Sequence, residues 1–156
     1  MQSKGIALHD VLQETENEIM QDNGNLGKLR KLYLNELIAR LGHHLALIWN
    51  LGEENGPAHW SPKGQNDTQR KNMAKFIKNN DPYKHPVVVH THAIDSTRNK
   101  ILNPILGFSY LDGLSLQQEQ RELTSEAVTY WHKKSSEAGN KWMKLDFGIL
   151  VLCQIH

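Results

Sequence analysis

The sequence predicts an α/β fold built on a parallel sheet, and three observations carry that reading. Short apolar or β-branched runs alternate with longer amphipathic stretches, Gly/Pro/Asn/Asp clusters separate them, and chemically active side chains fall just past the ends of the runs. At 156 residues, 38% hydrophobic and 22% charged, the chain has the composition of an ordinary globular protein able to bury one core.

In chain order, Gly5-Ile6-Ala7-Leu8-His9-Asp10-Val11-Leu12-Gln13 has strand character and runs into the polar stretch Glu14-Thr15-Glu16-Asn17. After the turn cluster Asp22-Asn23-Gly24-Asn25, residues Leu29, Leu32, Tyr33, Glu36, Leu37 and Arg40 follow the period of an amphipathic helix that Gly42 stops. His44-Leu45-Ala46-Leu47-Ile48-Trp49-Asn50 is almost continuously apolar, as a strand buried on both faces should be. The Gly- and Pro-containing loop from Leu51 to Gln65 leads to a helix over about Thr68 to Asn79, capped by Asp67 and broken by Asp81-Pro82. Val87-Val88-Val89-His90-Thr91-His92 is a β-branched strand. No helix is predicted between His92 and Leu106. A further strand is expected within Leu106 to Leu116, a helix over about Leu123 to Ala138 with Gly139 as its stop, and a last strand over Leu145 to Leu152. Strands alternating with helical crossovers make a parallel sheet.

Several function classes are disfavoured by composition. A net charge of +1 supplies no basic field for nucleic acid or an anionic membrane surface. The basic cluster Lys28-Leu29-Arg30-Lys31 reads as a solvated helix face. No run approaches the roughly 18 apolar residues of a membrane helix, and Met1-Gln2-Ser3-Lys4 lacks the apolar core of a signal peptide. Localisation stays open, with a secreted or periplasmic parent expected if the chain is a piece of a longer protein. A single cysteine, Cys153, excludes an internal disulfide framework.

In parallel α/β folds the rim at the carboxyl ends of the strands holds the ligand. Glu14, Glu16, Glu53, Glu54, His90, His92, Asp112 and Gln117 are all expected there. Glu53 and Glu54 follow a buried strand beside Trp49 and Trp60, surroundings that raise a carboxyl pKa as a general acid needs. Trp60 offers an aromatic face to a sugar, whereas Trp49 reads as core. His90 and His92, two apart on a strand, would share one face. They serve either as hydrogen-bonding cleft histidines or, with His9, Glu14 and Asp112, as ligands of a metal-dependent hydrolase.

The stretch Trp49-Asn50-Leu51-Gly52-Glu53-Glu54-Asn55 resembles the end of the fourth strand in clan A glycoside hydrolases. Together with Leu12-Gln13-Glu14-Thr15-Glu16-Asn17, Gly42-His43-His44, His90-Thr91-His92-Ala93 and Asp112-Gly113-Leu114-Ser115-Leu116-Gln117, it resembles bacterial glycosidase-like barrel proteins described as collagen-binding or of unknown function. The resemblance runs to about Trp142. It implies a partial TIM (β/α)8 barrel, about strands three to seven, since a whole barrel takes about 250 residues. It further implies a carbohydrate substrate, no cofactor, Glu54 as acid/base, and Glu53 where the clan commonly has Asn. Glu14, Trp60, His90, His92, Asp112 and Gln117 then become substrate-binding candidates. The second carboxylate of a retaining enzyme is expected after the seventh strand, yet no Glu lies beyond Glu137 and that segment reads Leu145-Asp146-Phe147-Gly148. The chain is therefore expected to be inactive by itself, or to act as a carbohydrate- or protein-binding module.

Overall fold

The computed structural model describes residues 4–90, 92–140 and 142–143. It is a mixed α/β structure around a four-stranded parallel sheet with strand order β1-β2-β3-β4. The strands are β1 (Leu8–Val11), β2 (Leu47–Asn50), β3 (Val87–His90) and β4 (Gly113–Ser115). Helix α1 (Lys28–Leu41) connects β1 to β2, α2 (Asp67–Asn80) connects β2 to β3, α3 (Asp95–Leu102) lies between β3 and β4, and α4 (Thr124–Glu137) follows β4. The strand expected over Leu145 to Leu152 lies outside the described residues.

Register sorts the strand residues into two faces, because successive side chains alternate. Leu8 pairs with Leu47, Trp49 with Val87, and Val89 with Leu114. From this face Leu47, Trp49, Val87, Val89 and Leu114 form one apolar cluster with Leu34 and Ile38 of α1, Met73, Ala74 and Ile77 of α2, Leu102 of α3 and Trp131 of α4. All four helices thus pack on the same side of the sheet. Each such fully buried side chain contributes roughly 1.5–3 kcal/mol. The other face carries His9, Val11, Ile48, Asn50, Val88, His90, Gly113 and Ser115 in register. Ile48 and Val88 are buried there, yet belong to no part of the helix-packed cluster.

The structure corrects several expectations. The first strand is shorter than Gly5–Gln13, and β2 begins at Leu47 because Leu45 is exposed before it. Leu29 and Leu32 point to solvent, and α1 buries Arg30, Leu34 and Ile38 instead. Arg30 is therefore not part of a solvated basic face. Its guanidinium donates to the carbonyls of Glu18 (2.6 Å) and Gln21 (3.2 Å), which satisfies a charge that burial would otherwise disfavour. Asn66, not Asp67, caps α2: its side chain accepts from Gln69 N–H while the Gln69 side chain accepts from Asn66 N–H. Between β3 and β4 stands the unpredicted helix α3, which buries Arg98, Ile101 and Leu102. Among the described residues, no helix is long and apolar enough to cross a membrane.

Candidate functional site

A cleft of about 260 Å³ opens at the carboxyl ends of the strands. Every strand contributes: His9 and Val11 from β1, Asn50 from β2, His90 from β3 and Ser115 from β4, with Glu14, Glu53 and Gln117 from the loops that follow. Among the described residues, no Lys or Arg side chain lines it.

The loop after β2 is fixed residue by residue. Glu53 N–H donates to Gln13 C=O (2.9 Å), and Thr15 Oγ1 donates to Glu53 C=O (3.0 Å), which ties this loop to the one after β1. Glu54 then adopts a left-handed conformation, φ 39°, unfavourable for a residue with a Cβ. Its N–H donates to His90 Nδ1 at 2.8 Å. Since Nδ1 accepts, His90 is the neutral tautomer with its proton on Nε2. Burial, with His9 and His92 close by, pushes His90 down to about 4.

The Glu54 carboxyl faces His92, with Oε2 3.8 Å from Nδ1, and its side chain is 22% exposed. Burial raises its pKa; the charges of Glu53 and Glu16 act in the same direction, while a hydrogen bond from the Gln117 side chain opposes them. A carboxyl group poised in this way can hold a proton and release it to a bound ligand. Trp60 stands edge-to-face on His92 at 5.2 Å between ring centroids and is 40% exposed, so one part of the indole backs the site while another is open to a ligand.

Glu14, Glu53, His90 and Gln117 thus line the cleft, while Glu54, His92 and Trp60 stand beside it, Glu54 joined to it through its N–H to His90 and its side chain to Gln117. Two expectations fail. Asp112 immediately precedes β4 instead of following it, so it sits at the opposite end of the sheet. There it accepts from Val87 N–H (2.7 Å) at the start of β3 and pairs with Lys78 (2.8 Å). His92 does not share the cleft face with His90, because β3 ends at His90 and the His92 ring is fully buried behind Glu54 and Trp60. Burial pushes His92 down to about 4, helped by the nearby Arg70 charge, and among the described residues neither ring nitrogen has a hydrogen-bond partner. Among the described residues, no group of three or more His, Cys, Asp and Glu side chains is arranged to hold a metal ion.

Sequence reasoning missed Asn50 and Ser115, the last inward residues of β2 and β4, which strand alternation could have supplied. It also missed a buried polar knot beneath the loops, formed by Gln13, Glu18, Arg30, Asn55, Gln65 and Arg70. Compared with family models, curated proteins and solved structures, the chain matches none.

Proposed function

We propose that β1 to β4 are consecutive strands of a (β/α)8 barrel and that the cleft is the sugar site of a glycoside hydrolase-like domain, with Glu54 as its general acid/base. The strictly sequential strand order with every helix on one face supports the barrel. Right-handed crossovers that step in one direction keep all helices outside, whereas a doubly wound sheet reverses and covers both faces. Under this reading β2 corresponds to the fourth barrel strand.

The observation that carries the function is the Glu54 carboxyl. It lies at the carboxyl rim of the sheet, raised in pKa by burial and by Glu53 and Glu16, within reach of solvent, and faces His92, against whose ring Trp60 packs. In glycoside cleavage Glu54 would give its proton to the glycosidic oxygen as the C–O bond breaks, leaving an alcohol and an oxocarbenium-like centre. Gln117 and the Nε2–H of His90 would hold the sugar or the resulting carboxylate, while Glu53 and Glu14 would accept from sugar hydroxyls. This chemistry rests on carboxylates and needs no cofactor. A retaining enzyme needs a second carboxylate about 5–5.5 Å from the first, and no Glu follows Glu137 to supply it after the expected seventh strand. That segment offers Asp146 alone as a carboxylate, inside an apolar run, so the chain by itself is expected to bind carbohydrate without turning it over.

Calorimetry with a panel of neutral oligosaccharides, paired with an aryl-glycoside assay, tests this. Binding without turnover is expected. Trp60→Ala should weaken it about ten-fold, the equivalent of ~1.4 kcal/mol of lost aromatic contact. Glu54→Gln, which keeps the shape, should leave binding nearly unchanged. Turnover that survives Glu54→Gln would overturn the assignment. So would one zinc per chain that is lost when His90 and His92 are both changed to Ala.

A further inference from the structure

We propose that Glu18 is the positioning residue of the site: a buried carboxylate latch that closes the loop after β2 and holds both Glu54 and Trp60 in place. The proposal rests on Glu54 being the acid/base. Glu18 is fully buried. Its Oε1 accepts from Asn55 Nδ2 (2.6 Å) and Gly56 N–H (2.9 Å), and its Oε2 accepts from Gln65 N–H (2.5 Å). One side chain thus ties together the two ends of the stretch that carries Trp60. Asn55 and Gly56 directly follow Glu54, and Glu53 is pinned on the other side by Gln13 and Thr15. The unfavourable backbone of Glu54 is therefore bracketed by fixed neighbours.

The packing around the latch is equally close. Gly56 has φ 120°, and a Cβ added at Gly64 would sit 2.6 Å from the Gly56 carbonyl and 2.7 Å from Glu18 Oε2, so neither position has room for a side chain. Burial raises the Glu18 pKa, and its three N–H donors and the Arg70 charge act against burial; Arg30 holds the Glu18 carbonyl, and Arg70 donates to the carbonyls of Asn55 (3.4 Å) and Ile101 (2.8 Å). Three N–H donors converge on two oxygens, a set that only a carboxylate accepts in full. A glutamine would turn an NH2 toward at least one of them.

The test compares the wild-type chain with Glu18→Gln and Asn55→Ala. It reads the titration of the Glu54 carboxyl by carbon NMR and the acrylamide quenching of tryptophan emission. Trp49, Trp131 and Trp142 are buried, so quenching reports Trp60. The groups facing Glu54 are Glu53, Glu16, Gln117, His90 and His92, and none of them is altered. In Glu18→Gln the loop opens, the Glu54 midpoint falls toward that of free glutamate as burial is lost, and quenching rises. Asn55→Ala moves both readouts the same way by less. Should Glu18→Gln fail to fold by circular dichroism, Asn55→Ala alone decides. A lower melting temperature with both readouts unmoved would show that Glu18 merely stabilises the fold and would overturn the proposal. Neither readout involves a sugar, so the absence of saccharide binding would sink the glycosidase reading and leave this result standing.

Discussion

The two ends of the sheet use the same side-chain types to opposite effect. At the amino end Asp81 is fully buried and accepts from Trp49 Nε1 (2.9 Å), Tyr83 N–H (3.0 Å), His85 N–H (3.0 Å) and His85 Nδ1 (2.7 Å). Burial alone would raise its pKa, but these bonds outweigh burial and hold it below the ordinary aspartate value. Asp112 and Lys78 complete each other at the same end. At the carboxyl end the Glu54 pKa is raised, first by burial and then by the charges of Glu53 and Glu16, and the single hydrogen bond from the Gln117 side chain does not offset them. His92 stands there with neither ring nitrogen hydrogen-bonded among the described residues. Complete pairing fixes the fold at one end, and incomplete pairing leaves chemistry available at the other.

Breaking the paired end should cost most. Asp81→Ala leaves four donors without an acceptor and should destabilise by on the order of 3–5 kcal/mol in chemical denaturation. A loss below about 1 kcal/mol would mean that the amino end is not held by this carboxylate.

The next largest effect is a pH dependence at the open end. His92 titrates at about 4 in the folded chain against 6.5 in its ordinary state, so between these values the unfolded chain binds more protons. Its contribution to stability is present above pH 6.5 and lost as pH falls toward 4, about 3 kcal/mol in all. The stability advantage of wild type over His92→Asn should shrink by about that amount between pH 7 and pH 4. A constant difference would show that His92 keeps its ordinary titration.

The smallest effect has the sharpest sign. Because the folded-state pKa of Glu54 is raised, the ionised form is disfavoured, and stability falls as pH rises through that value. Glu54→Gln should therefore be neutral or slightly stabilising at pH 7, within about 0.5 kcal/mol, as expected of a group kept for function. Substantial destabilisation would place Glu54 with Asp81 as a structural carboxylate.

Much of this contrast is legible in the sequence, and the failures have physical causes. The apolar runs at Leu47–Asn50 and Val87–His90 are readable because those strands are buried on both faces. The rim follows from strand ends, and so Glu53, Glu54, His90 and Gln117 come together. Asp112 is expected past a strand end, but the strand expected within Leu106 to Leu116 begins only at Gly113, so the residue precedes the whole strand and stands at the other end of the sheet. Helix α3 was missed because its stretch Asp95-Ser96-Thr97-Arg98-Asn99-Lys100 is polar throughout, and its buried side begins with an arginine. The same substitution of a buried arginine for an apolar residue shifted the reading of α1. The knot around Glu18 left no local signal, since its members at positions 13, 18, 30, 55, 65 and 70 meet only in three dimensions.

Under the proposed function the carboxyl end of the sheet is the ligand end and the amino end is scaffold. Amide and indole chemical-shift mapping during titration with a neutral oligosaccharide tests it most directly. The expected result is a cluster of shifts at Glu53, Glu54, Ser115, Gln117 and the Trp60 indole, with none at Lys78, Asp81, His85 or Asp112. Shifts concentrated on the second group, with the first unmoved, would contradict it.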